Sequence, residues 1–199
     1  MNLNNNTRLI IAITGVPTTG KTTFAKKIIK KLHITSVEIN DLAKLYNTYT
    51  GTDSLGTKIV DIKKLNKAIN NYIKINNQNI ILVGHLAADL NIKYDIAIVM
   101  RKPLKVIAKR MERRNYQIEK INENIIAEAY DYCSKIKRFS KETYEIETKG
   151  EANQIIKYLT CIIKQQKKDK KICKKPKIKE KYYFLELLNL IKKGNKYNL

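Results

Sequence analysis

The sequence predicts an α/β fold in three layers, a five-stranded parallel sheet covered by helices on both faces, and three observations predict it. Short, continuous, β-branched apolar runs recur along the chain, as expected of strands buried on both faces. Between them, apolar residues return every three or four positions, the period of an amphipathic helix. The two patterns alternate, and alternation of strand with helix is the mark of a parallel sheet. The expected strands are residues 8–14 (RLIIAIT), 35–39, 79–83 (NIILV), 95–100 (DIAIVM) and 144–146. The expected helices are residues 21–32, 41–46, 59–75, 103–114, 119–138 and 151–165. Pro103 suits the first turn of its helix, where its missing N–H has no intrahelical partner to lose. The polar stretch that contains Gly51 and Gly56 has neither period and is expected to be mobile.

With 199 residues, 43% of them hydrophobic, the chain has the apolar content for one domain, residues 1–166, followed by a tail. No run of roughly 18 apolar residues occurs, and the Asn-rich start lacks the charged-then-apolar order of a signal peptide, so a cytoplasmic monomer with no membrane contact is expected. Cys133, Cys161 and Cys173 are odd in number and lack a CxxC pair, which predicts reduced thiols rather than disulfides or zinc ligands. The net charge of +22 would attract a polyanion such as RNA. Abundant Lys, Asn and Ile can equally come from a nucleotide-biased genome. After residue 166 the chain turns into a Lys-rich linker, 167–181, and then an amphipathic helix and tail, 182–199. The helix face formed by Phe184, Leu187, Leu188 and Ile191 must be buried on the parent domain or on a partner.

The most specific feature is Gly15-Val16-Pro17-Thr18-Thr19-Gly20-Lys21-Thr22, which matches G-x-x-x-x-G-K-[ST] between a predicted strand and a predicted helix. In such a P-loop the glycines let the backbone wrap so that N–H groups point at phosphate oxygens. The following helix adds its positive N-terminal end. Lys21 then bridges the β- and γ-phosphates of ATP, Thr22 offers its hydroxyl to Mg²⁺, and Thr23 reaches the α-phosphate. The motif leaves the acceptor open, since kinases, GTPases and ATPases all carry it.

Further segments line up in order: NDLA at 40–43, IVDIKKL at 59–65, GHL at 84–86 and MRKPLKVIAKRMERRNYQIEKINENIIAE at 100–128. With the P-loop, they make residues 8–165 resemble the archaeal adenylate kinase family, whose eukaryotic relatives are the coilin-interacting nuclear ATPases of small ribosomal subunit maturation. The resemblance implies a monophosphate-binding segment at about 38–61, with Asp41 as a polar anchor, and a lid at about 113–123. Taken alone, Asp41 is equally an ordinary first-turn residue, and Asp61 an ordinary helix start. Arg114 matches the lid arginine that contacts ATP in the family, with Arg110 one turn earlier. Arginine suits that task because its planar fork spreads charge over a transferring phosphoryl group. His85 matches the family's histidine after the third strand, which implies a supporting role in catalysis.

Three positions depart from that pattern. Asn115 replaces the lid glycine, Thr18 stands where relatives carry glycine in the phosphate loop, and Val83 occupies the place of the Walker-B acid. Valine cannot hold a metal-bound water, so the Mg²⁺ shell would depend on Thr22, the nucleotide's own oxygens and waters, or on an acid from elsewhere such as Asp41 or Asp61, and slow turnover is expected. The sequence therefore favours a kinase acting on ATP and AMP with Mg²⁺, with ATPase activity and with a small-subunit ribosomal protein or pre-rRNA as partner. A ribosome-assembly ATPase without kinase activity and a nucleotide-dependent binding module are the alternatives.

Overall fold

The computed structural model describes residues 8–165 and 173–192. Five strands, β1 (Ile10–Thr14), β2 (Thr35–Glu38), β5 (Ile80–Val83), β6 (Tyr94–Met100) and β7 (Ser140–Ile146), form one sheet in the order β2-β5-β1-β6-β7. Every pairing in it is parallel. The first strand, β1, lies at its centre. Successive side chains of a strand point to opposite faces, and β1 divides accordingly. Ile11 and Ile13 pack with Phe24 and Ile28 of α1 (Lys21–Leu32) and with Ile155 and Leu159 of α6 (Lys149–Gln165). Ala12, on the other face, joins a core with α2 (Ile39–Leu45), α3 (Ile62–Ile75), α4 (Leu104–Glu112) and α5 (Ile118–Ala129). The three expected layers and the five parallel strands are present.

Four local expectations are corrected. The polar stretch expected to be mobile is an antiparallel hairpin, β3 (Tyr49–Thr52) and β4 (Lys58–Val60). Asp53 closes its turn by accepting hydrogen bonds from the amides of Leu55 (2.9 Å) and Thr57 (2.7 Å). The helix expected over 59–75 begins at Ile62, because Asp61 caps it by accepting from the Lys64 amide at 2.9 Å. The helix expected over 119–138 breaks after Ala129, where Asp131 takes a left-handed φ of 53°, and resumes as a 3₁₀ helix from Tyr132 to Phe139. Finally, Cys161 and Cys173 are disulfide-bonded, while Cys133 is free and buried. The tail turns back along α6 and brings Cys173 to Cys161, a meeting that their separation of 12 residues does not announce.

The expected linker proves, from Cys173 onward, to be a strap fixed to the parent domain; residues 167–172, the rest of that linker, lie outside the described residues, as do 1–7, 166 and 193–199. Lys175 pairs with Glu142, Lys181 with Glu151, and the Lys181 amide donates to Glu145. It leads into α7 (Phe184–Lys192), which packs on the parent core through Tyr183, Leu187 and Leu190. Of the face expected to be buried, Leu187 is covered, whereas Phe184, Leu188 and Ile191 stay substantially exposed. The Glu186 carboxylate accepts from the amides of Leu104 (3.1 Å) and Lys105 (3.2 Å), so the tail caps α4, whose own N-cap is Pro103 without a capping side chain.

Arg101, the residue after β6, is 1% exposed. Its guanidinium donates to Glu128 at 2.8 Å, Asp131 at 2.6 Å and Glu145 at 3.1 Å, and it stacks on the ring of Tyr183. One cation thus ties together β6, α5, the 3₁₀ helix, β7 and the tail. Removing it leaves Glu128 buried without its countercharge and Glu145 with Lys137 as its remaining cation. Arg101→Met is therefore expected to cost about 3–5 kcal/mol of unfolding free energy in urea titrations. A loss near zero would mean that this cluster does not hold the elements together.

Candidate active site

β1 ends at Thr14 and the chain turns directly into the phosphate loop, so the loop sits at the carboxyl end of the central strand. That is where open parallel sheets bind ligands. Gly15 has φ +139°, and a Cβ there would stand 2.4 Å from the Met100 carbonyl oxygen. The close approach of loop to strand end therefore requires glycine. Gly20 caps α1 at φ 106°, with no side chain capping the helix and no acid in its first turn. The first-turn amides and the positive end of the helix are thus directed at the cleft.

The loop opens into a cleft of about 1640 Å³. Of the expected site residues, Thr18, Gly20, Lys21, Thr22, Thr23, His85, Arg110 and Arg114 all border it, and Gly15 stands behind the loop's first turn. Lys21 Nζ donates to the carbonyls of Gly15 and Val16, both at 2.9 Å. Burial holds its ammonium below the usual lysine range, against the opposing pull of the Cys133, Glu38 and Glu128 side chains. A desolvated cation on a loop of open amides fits the β- and γ-phosphates of a nucleotide. Thr18 fits them too. It holds φ 67° without being glycine, and its hydroxyl is buried with no hydrogen-bond partner among the described residues, a polar atom that a bound anion would satisfy.

Opposite the loop, α4 ends in the turn that leads into α5. Arg110 donates to the Thr18 carbonyl at 2.9 Å, and Arg113 and Arg114 are exposed on the cleft wall. Asn115 adopts φ 57° at the position of the family's glycine. Asparagine is among the side chains that tolerate this left-handed conformation, so the α4–α5 turn forms without a glycine there. His85 opens a short 3₁₀ helix after β5, and its carbonyl accepts from the Thr14 hydroxyl at 3.2 Å. Burial, reinforced by the charge of Lys21, pushes its imidazole below the ordinary histidine pKa, so it is neutral at pH 7.

Asp41 is not brought into the cleft. It is exposed in the first turn of α2, and its neighbours Glu38 and Asn40 line the wall instead. Within the segment expected at 38–61, sequence reasoning did not single out Glu38 or the tip of the β3–β4 hairpin, where Asp53, Leu55 and Thr57 border the cleft. Glu38 closes β2, and its carboxylate accepts the Thr22 hydroxyl at 2.9 Å. The strand's position beside β5 was the available signal.

Two outcomes test this geometry. Gly15→Ala is expected to lower the melting temperature, because the new methyl group strikes backbone at Met100. A melt unchanged from wild type would contradict the close approach. For His85, the folded pKa lies below the unfolded one, so its neutral form stabilises the fold above pH 6.5. That contribution is lost as pH falls from 6.5 toward the folded value. His85→Asn should therefore lose less unfolding free energy than wild type between about pH 7.5 and about pH 5.5. Equal slopes would contradict the buried, neutral imidazole.

The comparisons with known proteins agree with the loop and the sheet. The family described as "AAA domain" matches residues 11–131, from the central strand through the phosphate loop to the end of α5. A protein of Methanocaldococcus jannaschii named "Putative adenylate kinase" is 36% identical over 162 residues, covering 80% of this chain and 89% of that protein. One of the same name from Methanosarcina acetivorans is 35% identical, covering 71% of this chain and 78% of that protein. Among solved structures, the shikimate kinase of Acinetobacter baumannii in complex with shikimate superimposes with a TM-score of 0.56 at 13% identity, over 82% of this chain and 97% of that one. The Bacillus subtilis YorR protein in complex with phosphorylated GDP gives 0.50 at 15% identity, over 79% of this chain and 96% of that one. At such identities these two show the fold alone. The chain belongs to the AAA-domain family of P-loop proteins and, within it, to the family of archaeal proteins that carry the adenylate kinase name.

Proposed function

We propose that this chain is a nucleoside-monophosphate kinase that transfers the γ-phosphoryl group of ATP to AMP. The observation that carries the proposal is the two-sided cleft. A phosphate loop lies at its floor, arginines 110, 113 and 114 project from one wall, and Glu38, Asn40 and the hairpin tip form the other. A P-loop alone would serve many reactions, but two substrates need two walls. The loop amides and Lys21 would hold the ATP phosphates, and the α4–α5 turn would bring Arg114 over them. Charge that spreads over the transferring group would meet guanidinium and ammonium groups already in place. Mg²⁺, when bound with ATP, supplies charge neutralisation on the phosphate oxygens, and the Thr22 hydroxyl is suited to it. Neutral His85 would orient a proton or a water at the rear of the cleft. The names of the archaeal relatives support this reading.

The second reading is an ATPase of small ribosomal subunit maturation, working in the cytoplasm on a ribosomal protein or pre-rRNA. Its support is the charge of +22 and the exposed Lys174, Lys177 and Lys179 on the strap, which make a basic surface for a phosphate backbone. Both readings share one site.

Purified protein with ATP and Mg²⁺, with and without each monophosphate, separates them by the ADP formed. The kinase reading expects AMP to raise ADP production by orders of magnitude, with two ADP per AMP consumed. Arg114→Ala should remove most of that rate while leaving ATP binding in place. ADP release indifferent to every monophosphate would leave the ATPase reading alone standing.

A further inference from the structure

The chain lacks an acid at the Walker-B position, yet a carboxylate stands beside it. In the parallel pairing of β2 with β5, Glu38 is the register partner of Val83. Register partners on adjacent parallel strands point to the same face of a sheet. Val83 faces the layer of α1, being packed with Phe24 and Ala25. Glu38 therefore also faces α1, and there its carboxylate accepts the hydroxyl of Thr22 at 2.9 Å. The acid missing from β5 is present one strand over, on the same face and at the same level.

The other carboxylates bordering the cleft are committed. Asp53 accepts the amides of its own turn, and Asp89 is paired with Lys135 at 2.6 Å. Glu123 is paired with Lys120, and Glu147 accepts the Tyr183 hydroxyl at 2.7 Å. Asp61 caps α3, and Asp41 lies outside the wall. Glu38 alone among these has as its described hydrogen-bond partner the P-loop hydroxyl itself. A carboxylate that accepts the Thr22 hydrogen bond leaves the hydroxyl oxygen's lone pairs free for a hard cation. Such cations prefer oxygen ligands and keep several waters, to which a nearby carboxylate adds charge and acceptors.

We infer that Glu38 replaces the missing β5 acid as the positioning carboxylate of the nucleotide-bound divalent cation, acting through Thr22 and cation-bound water. The inference rests on the reading of the cleft as an ATP site. It assigns the charge to β2, so the replacement at Val83 is compensated rather than crippling.

The test measures Mn²⁺ affinity, by electron paramagnetic resonance, on protein saturated with a non-hydrolysable ATP analogue. It compares wild type, Glu38→Gln and Glu38→Asp, with analogue binding in EDTA as the control. Glutamine keeps the size of the side chain and an oxygen for Thr22 but removes the charge. The expected result is a loss of about tenfold in Mn²⁺ affinity for Glu38→Gln, as for other groups that orient metal ligands. Glu38→Asp should retain most of the affinity, and analogue binding in EDTA should not change. Equal Mn²⁺ affinity in wild type and Glu38→Gln, with analogue bound to both, overturns the assignment and leaves the ATP site intact. A wild-type protein that binds no analogue sinks the ATP site, and the assignment with it.

Discussion

The buried guanidinium of Arg101 is the interaction on which the rest of the C-terminal half depends. It stands one residue beyond Met100, whose carbonyl presses on Gly15, so the end of β6 touches the phosphate loop on one side and anchors a charge cluster on the other. Although burial acts against its charge, Glu128, Asp131 and Glu145 hold the guanidinium firmly protonated. Ion pairs of this kind gain little over apolar packing in net stability, because both partners must be desolvated. What such a cluster does well is exclude other arrangements. Glu128 belongs to α5, the helix that follows the arginine-bearing end of α4, so the same cation that closes the core also holds the far end of α5 in place.

The tail reinforces that frame. Tyr183 stacks on Arg101 and donates to Glu147, while Glu186 closes the N-terminus of α4, the helix that carries Arg110 at its other end. A segment that composition alone presents as a basic appendage is therefore continuous with the scaffold of the arginine wall. Its acidic partners on β7 and α6 take up the charge of Lys175 and Lys181, and Lys174, Lys177 and Lys179 remain turned to solvent.

Much of this was legible in the sequence, for identifiable reasons. Strands such as β5 and β6 are buried on both faces, so their apolar runs carry a signal that survives without tertiary information. The P-loop is local, because its backbone conformation needs particular residues at fixed spacing. What escaped is non-local or local in a weaker code. The β3–β4 hairpin buries little, so its residues carry no alternation. The break in the long helix rests on one residue, Asp131, held in a left-handed conformation by its place in the Arg101 cluster. The Cys161–Cys173 bond depends on where the tail returns, and the partnership of Glu38 with Thr22 depends on β2 lying beside β5. Family resemblance points to a segment, 38–61, and to Asp41 within it, whereas strand register points to the side chain of Glu38.

A nucleotide bound as proposed would lie with its phosphates on the loop and be covered by the arginine wall. Amide hydrogen exchange with and without ATP and Mg²⁺ tests it directly. Slower exchange is expected at residues 15–23, together with residues 110–118 of the lid, and little change in the β7 and α6 core. Slowing confined to other surfaces, with the loop amides exchanging as in the free protein, would contradict it.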